Sequence, residues 1–186
     1  MPYQRRTRRN LRRHIISWQD LNRANSQVTD ELWNLGLWNS RLNKVDVYWV
    51  SASLKYYGWC TDHIFMPAIS GAQLADLAHG RHIRLVDVLR HEWGHAVAHH
   101  HTELFDTSRF VRIFGAPYES EEPVWDYSPQ DHLTQYSATM PCEDFAEVFH
   151  YFIRHKGRLP LRLHNKPAIV RKWEFVEWLA TKVSKI

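Results

Sequence analysis

Apolar positions recur at helical spacing in five stretches of the chain and crowd into a strand-like run in one. "VTDELWNLGLWNSRLN" (28–43) carries Leu32, Leu35 and Trp38 on one stripe, with Thr29 placed to cap a helix and Asp30 and Glu31 suited to its positive end. "KVDVYWVSASLKYYGWCTDHIFMPA" (44–68) is rich in Val, Tyr, Trp and Ile and broken near Gly58 and Asp62. It predicts two or three strands, with "HIFMPA" the last and Pro67 either ending that strand or marking it as an edge. "SGAQLADLAHG" (70–80) predicts a short helix stopped by Gly80, and "RLVDVLRHEWGHAVAHH" (84–100) a long one with Leu85, Val88 and Leu89 on one side. Residues 105–135 hold Pro, Gly, Ser and many acids and are expected to be loop-rich. "MPCEDFAEVFHYFIRH" (140–155) returns to helical periodicity through Phe145, Val148, Phe149 and Phe152. "NKPAIVRKWEFVEWLATKV" (165–183) closes the chain, with Pro167 in its first turn and Ile169, Trp173, Val176 and Val183 as the buried stripe.

Composition narrows the class. A chain of 186 residues, 44% apolar with nine Trp, eight Tyr and eight Phe, fits one domain with a core that needs no disulfide framework. Its two cysteines, Cys60 and Cys142, are expected to be reduced. No run reaches the roughly 18 apolar residues of a membrane span, and "LRRHIISW" is too short and charged for a signal-peptide core, so a cytoplasmic location is expected, with non-classical export left open. Charge is uneven: residues 1–23 hold seven Arg and one Asp, a balance of +6, so the other 163 residues sum to −2 against a total of +4. A basic arm over 1–16, expected to be flexible, therefore precedes a nearly neutral domain over 17–186. The arm's "RRTRRNLRR" makes nucleic-acid binding conceivable, but the body lacks a basic stripe with interleaved aromatics, and nucleic acid is not the favoured partner.

The candidate chemistry sits in "LRHEWGHAVAHHH" (89–101). His91 and His95 lie four residues apart, about one helical turn, so both imidazoles project from one face and can share a metal ion. Glu92, one step around, is placed to act as general base on a water, the H-E-x-x-H arrangement. Trp93 is expected in the core, and Gly94 to allow a neighbouring helix to lie close. With 13 His and 10 Glu, chance alone supplies roughly 0.05 such matches in this chain, so a second observation is needed. It comes from "PCEDFAEVF": Glu143, 48 residues beyond His95, offers a third ligand, and Glu147, one turn further, can accept the second ring N–H of a ligand histidine.

"HEWGHAV" followed by "EDFAEVF" resembles the gluzincin metallopeptidases, most closely the catalytic-domain pattern of the anthrax toxin lethal factor family, over roughly residues 60–152. The resemblance implies an α+β, zincin-like single domain: a small mixed sheet packed on an active-site helix, with a helical C-terminal half. It implies one zinc ion per chain held by His91, His95 and Glu143, Glu92 as general base, Glu147 as the acid behind a ligand histidine, and hydrolysis of a protein or peptide substrate. The family also places a tyrosine seven residues before the ligand glutamate, close to the scissile carbonyl, and Tyr136 occupies that position. A phenol O–H is a suitable donor to the oxyanion.

Three further features have quieter readings. His99, His100 and His101 are expected to end the helix, where cations suit the dipole, rather than to join the site. The acidic stretch over 117–131 is either a lid favouring basic peptides or a solvated loop. Cys142, beside Glu143, is expected to be a small packed residue in preference to a redox thiol. Against the peptidase stand two alternatives: a catalytically silent binding protein on the same fold, and a DNA-associated protease recruited by the arm.

Overall fold

Helix formation begins at Ser17. Its hydroxyl accepts from the Asp20 N–H at 3.1 Å and the Asp20 carboxylate accepts from the Ser17 N–H at 3.3 Å, a reciprocal box that satisfies two orphan donors. The computed structural model, which describes residues 15–51, 59–77, 84–121 and 126–185, runs α1 from Trp18 to Asn34. Thr29 is therefore not the cap. It lies inside the helix and its hydroxyl donates back to the Ser26 carbonyl at 3.0 Å. The first half of α1 escapes a periodicity reading because its buried stripe is thin, only Leu21, Val28 and Leu32. The helix also stops earlier than the Leu32–Leu35–Trp38 stripe suggests. Gly36 turns the chain at φ +72°, and the Leu37 and Gly36 N–H groups return to the Leu32 and Trp33 carbonyls, a Schellman closure.

Ahead of α1, Ile15 bridges to Ser70 and the Ile16 N–H donates to the Ile69 carbonyl at 2.8 Å. The body's contacts thus reach two residues N-terminal of the expected boundary at 17. The rest of the basic arm, residues 1–14, lies outside the described residues, as do Gly58 and Gly80.

Three strands follow among the described residues: β1 (Val47–Val50), β2 (Trp59–Cys60) and β3 (Ile64–Pro67). The order is β1-β3-β2, with β3 parallel to β1 in the register Val47↔Ile64 and antiparallel to β2 through Trp59↔Phe65. β3 is central, so Pro67 ends the strand and does not mark an edge. Ile64 and Met66 point from β3 into the core. A short helix α2 (Gly71–Leu77) is opened by a second reciprocal box between Ser70 and Gln73.

Five further α-helices follow among the described residues: α3 (Leu85–His100), α4 (Thr102–Phe105), α5 (Ser108–Phe114), α6 (Pro141–Arg154) and α7 (Pro167–Val183). The expectation of a loop throughout 105–135 holds only beyond Gly115, whose φ of +91° ends α5. Thr107 caps α5, and Phe105, Phe110 and Phe114 are buried. They join Phe145 and Phe175 in an aromatic cluster, with ring centroids 4.8 Å apart for Phe105–Phe145 and 5.7 Å for Phe110–Phe175. Burial of these rings outweighs the polar, turn-forming composition around them. The protein is mixed α/β, mostly helical with a small sheet, and among the described residues no helix is long and apolar enough to cross a membrane.

One packing event positions everything of functional interest. α3 and α6 run antiparallel in close contact. A Cβ built on Gly94 would stand 3.3 Å from the Ala146 Cα and 3.1 Å from the Phe149 ring, so only glycine lets the two backbones approach this far. Polar rungs cross the interface along the same line: Asp87 to His150 at 3.4 Å, His91 to Glu147 at 3.2 Å, and His95 to Glu143 at 3.6 Å.

Candidate metal centre

His91 and His95 stand one turn apart on α3, and α6 brings Glu143 and Glu147 against them. The His91 Nε2 lies 3.0 Å from the Glu143 Oε2 and 3.2 Å from the His95 Nε2, and the third side of the triangle, His95 Nε2 to Glu143 Oε2, is 3.6 Å. Ligand bonds of about 2.0–2.1 Å around a tetrahedral zinc ion place neighbouring donor atoms about 3.3–3.4 Å apart, so the three atoms have the separations of one face of such a tetrahedron. The group His91, His95 and Glu143 could hold a metal ion.

The far side of each imidazole is tied down separately. His91 Nδ1 lies 3.2 Å from the Glu147 Oε1, and His95 Nδ1 lies 2.8 Å from the Tyr118 hydroxyl. Each Nδ1 is anchored outward and each Nε2 turns inward, the arrangement in which an outer partner fixes the tautomer of a metal ligand.

Electrostatics follow from burial. Burial by itself would lower the His91 pKa, but the Glu143 and Glu147 carboxylates outweigh it and hold the imidazole well above its ordinary value. Glu143 is held well below the usual carboxylate range: burial opposes this and the two histidines overcome it. Glu147 is likewise lowered, with His91 outweighing burial. Glu92 moves the other way. It is only 3% exposed, burial raises its pKa, and its Oε2 has no hydrogen-bond partner among the described residues. A buried carboxylate oxygen without a partner among the described residues, beside two imidazole nitrogens and a carboxylate oxygen that converge on one point, suits a site built around a cation and a water. The donor set and this orphan both fit a zinc ion.

The remaining expectations fall out as follows. Tyr136 sits half-buried in a 3₁₀ turn, Tyr136–Ala138, with its ring centroid 5.9 Å from that of His91, so it is brought to the cluster. His99, His100 and His101 stay out of it. His100 Nε2 meets the Asp62 carbonyl at 3.1 Å, and His101 is fully buried between the Val97 carbonyl and Asn39. α3 ends at His100 with His101 as its cap, as the helix-end reading expects. Cys142 is half-buried, and burial together with Glu143 pushes its thiol up to about 12, which leaves no thiolate for redox chemistry near neutral pH. Of the acidic stretch, residues 122–125 lie outside the described residues.

Three participants are absent from the sequence reading. Tyr118 comes from the loop after α5, 23 residues from His95, and no local spacing announces it. Asp87 and His150 form the rung below the cluster, and these did have a signal: Asp87 is four residues before His91 and His150 three after Glu147, on the same faces. No protein family, curated protein or solved structure matches the chain. What can be said of function therefore rests on the site itself.

Proposed function

We propose that the protein is a zinc-dependent peptidase on a zincin-like fold, similar to the gluzincins that the two glutamate-bearing motifs resemble. The observation that carries this is the convergence of His91 Nε2, His95 Nε2 and Glu143 Oε2 at 3.0–3.6 Å beside the unpartnered Glu92 carboxylate oxygen. One zinc ion per chain, held by those three atoms, would supply Lewis-acid polarisation of a peptide carbonyl and a water acidified toward neutral pH.

The chain's own residues do the rest. Glu92 takes the proton of the attacking water, a task suited to a carboxylate whose basicity burial has raised, and hands it to the leaving nitrogen. Tyr136 donates its phenolic hydrogen to the developing oxyanion. Glu147 accepts from His91 Nδ1 and so keeps the proton off Nε2. An extended substrate segment adds to an open edge of the sheet, β1 or β2, as peptides commonly do. No observation on the described residues favours the catalytically silent or the DNA-recruited alternative.

Metal analysis of the purified chain is expected to give one zinc per chain, falling sharply in His91→Ala. Glu92→Gln is expected to keep that zinc while peptide-library hydrolysis drops by about 10²–10⁴-fold, the usual cost of losing a general base. Equal hydrolysis by Glu92→Gln with zinc bound would overturn the mechanism. Absence of zinc from the wild type would overturn the site.

A further inference from the structure

The two histidines of the cluster are anchored by different chemistry. His91 leans on a carboxylate, whereas His95 leans on the Tyr118 hydroxyl at 2.8 Å. Tyr118 is 8% exposed and its ring is wedged into the aromatic cluster, 5.3 Å from Phe105, 5.6 Å from Phe110 and 6.2 Å from Phe145 by centroids. The chain reaches it three residues after Gly115, and a turn closed by Ser120 N–H to the Pro117 carbonyl at 3.0 Å follows it. With only two side-chain torsions and rings on several sides, the hydroxyl has one place to be.

We propose that Tyr118 is a positioning residue of the metal centre: its oxygen accepts the His95 Nδ1–H, which selects the tautomer whose Nε2 lone pair faces Glu143 and His91. This rests on the metal-site reading above and adds to it the residue that sets the second histidine. A phenol is compatible with both directions of this bond, since it donates and accepts. If the phenol donated to Nδ1, the ring proton would sit on Nε2, 3.2 Å from the other imidazole's Nε2 and in the place of the metal. Metal ligation through the His95 Nε2 therefore requires the accepting phenol.

Charge explains why a neutral group serves here. Glu92, Glu143 and Glu147 already place three carboxylates at the cluster. A divalent ion offsets two of those charges, so a fourth buried carboxylate on His95 would add uncompensated charge in a low-dielectric site. The phenol orients the ring without adding charge.

The test measures zinc affinity of the full chain by competition with a chromogenic chelator, alongside the melting temperature of the metal-free protein. Tyr118→Phe keeps the ring in its aromatic wall and removes only the hydroxyl, and is expected to weaken zinc binding by about 10- to 100-fold. 4-Aminophenylalanine at position 118 restores a polar atom at the same reach, but an aryl amine donates well and accepts poorly, so it favours the wrong tautomer and is expected to leave the affinity low. Val176→Ala, on α7 and outside the cluster of metal-site residues, opens a hole in the core and serves as the structural control: its metal-free melting temperature falls and its zinc affinity stays at the wild-type value. Wild-type affinity in Tyr118→Phe would overturn the proposal, as would a loss no larger than that of Val176→Ala, or full recovery with the amino analogue. Failure of the wild type to bind zinc, or binding that survives His91→Ala, would instead remove the metal site itself and this role with it.

Discussion

At the scale of single residues, the cluster is a set of atoms each with one job, and the jobs are separable. Glu143 and Glu147 are chemically identical and one turn apart on α6, yet the first faces both Nε2 atoms while the second meets only the outward Nδ1 of His91. Removing Glu147 leaves three ligands and a histidine free to take the wrong tautomer, so Glu147→Ala is expected to weaken zinc binding by about 10–100-fold. Glu143→Ala removes one of three protein ligands and is expected to weaken it further still. Chelator competition on the two purified variants checks the ranking, and a Glu147→Ala defect equal to or larger than that of Glu143→Ala would reverse the assignment of the two carboxylates. This part of the site was legible in the sequence because each pair, His91 with His95 and Glu143 with Glu147, repeats at one helical turn. Tyr118 was not legible, because its contact with His95 crosses a loop and two short helices, and no period along the chain encodes it.

At the scale of elements, the site is a property of the α3–α6 interface. α3 is buried almost all round, from Val86 through Ala98 with His95 the half-buried exception. A helix without a solvent face shows little one-sided periodicity, so its motif identified it more securely than the Leu85–Val88–Leu89 stripe did. α1 illustrates the opposite failure, a mostly exposed helix whose thin stripe concealed its first half. Between α3 and α6 the limiting contact is Gly94. Replacing it by Ala gains up to about 1 kcal/mol in helix propensity. It also forces a methyl to within 3.3 Å of the Ala146 Cα, which cannot yield unless α6 moves as a body. Overpacking of that kind costs about 1–3 kcal/mol and would move Glu143 and Glu147 with the helix. Gly94→Ala is therefore expected to lower both the melting temperature and the zinc affinity. Gly71, at the start of α2, has nothing within 4 Å of a Cβ, and Gly71→Ala is expected to leave the melting temperature unchanged or raise it. Equal melting temperatures for the two variants would refute the close-approach argument.

At the scale of the whole molecule, the helix that carries His91 and His95 is fastened to its surroundings by a charge network centred on the buried Asp87. Its carboxylate meets Arg90 at 2.6 Å, Arg84 at 2.8 Å and His150 at 3.4 Å, while Arg90 also reaches across to Glu31 on α1 at 2.7 Å. Three helices, α1, α3 and α6, thus share one polar knot directly below the cluster. Its Glu31–Arg90 pair was not legible in the sequence, because the two residues lie 59 apart, whereas Asp87 and His150 continue the one-turn spacing of the two motifs. Burial alone would raise the Asp87 pKa, but His150 and Arg84 outweigh it and hold the carboxyl well below its ordinary value. The linkage then has a definite sign. A depressed folded-state value means that the ionised form stabilises the fold. That contribution is complete at any pH above the unfolded-state value of about 4, and it is lost as the pH falls below that toward the folded-state value. Asp87→Asn leaves the buried Arg90 with Glu31 as its remaining acidic partner, a loss of up to about 3–5 kcal/mol when one partner of a buried pair is removed. The stability gap between wild type and Asp87→Asn, measured by urea unfolding across a pH series, is expected to be flat from neutral pH down to about pH 5 and to narrow below about pH 4. A gap that widened on acidification, or one that was absent at neutral pH, would mean that the knot does not hold these helices together through charge.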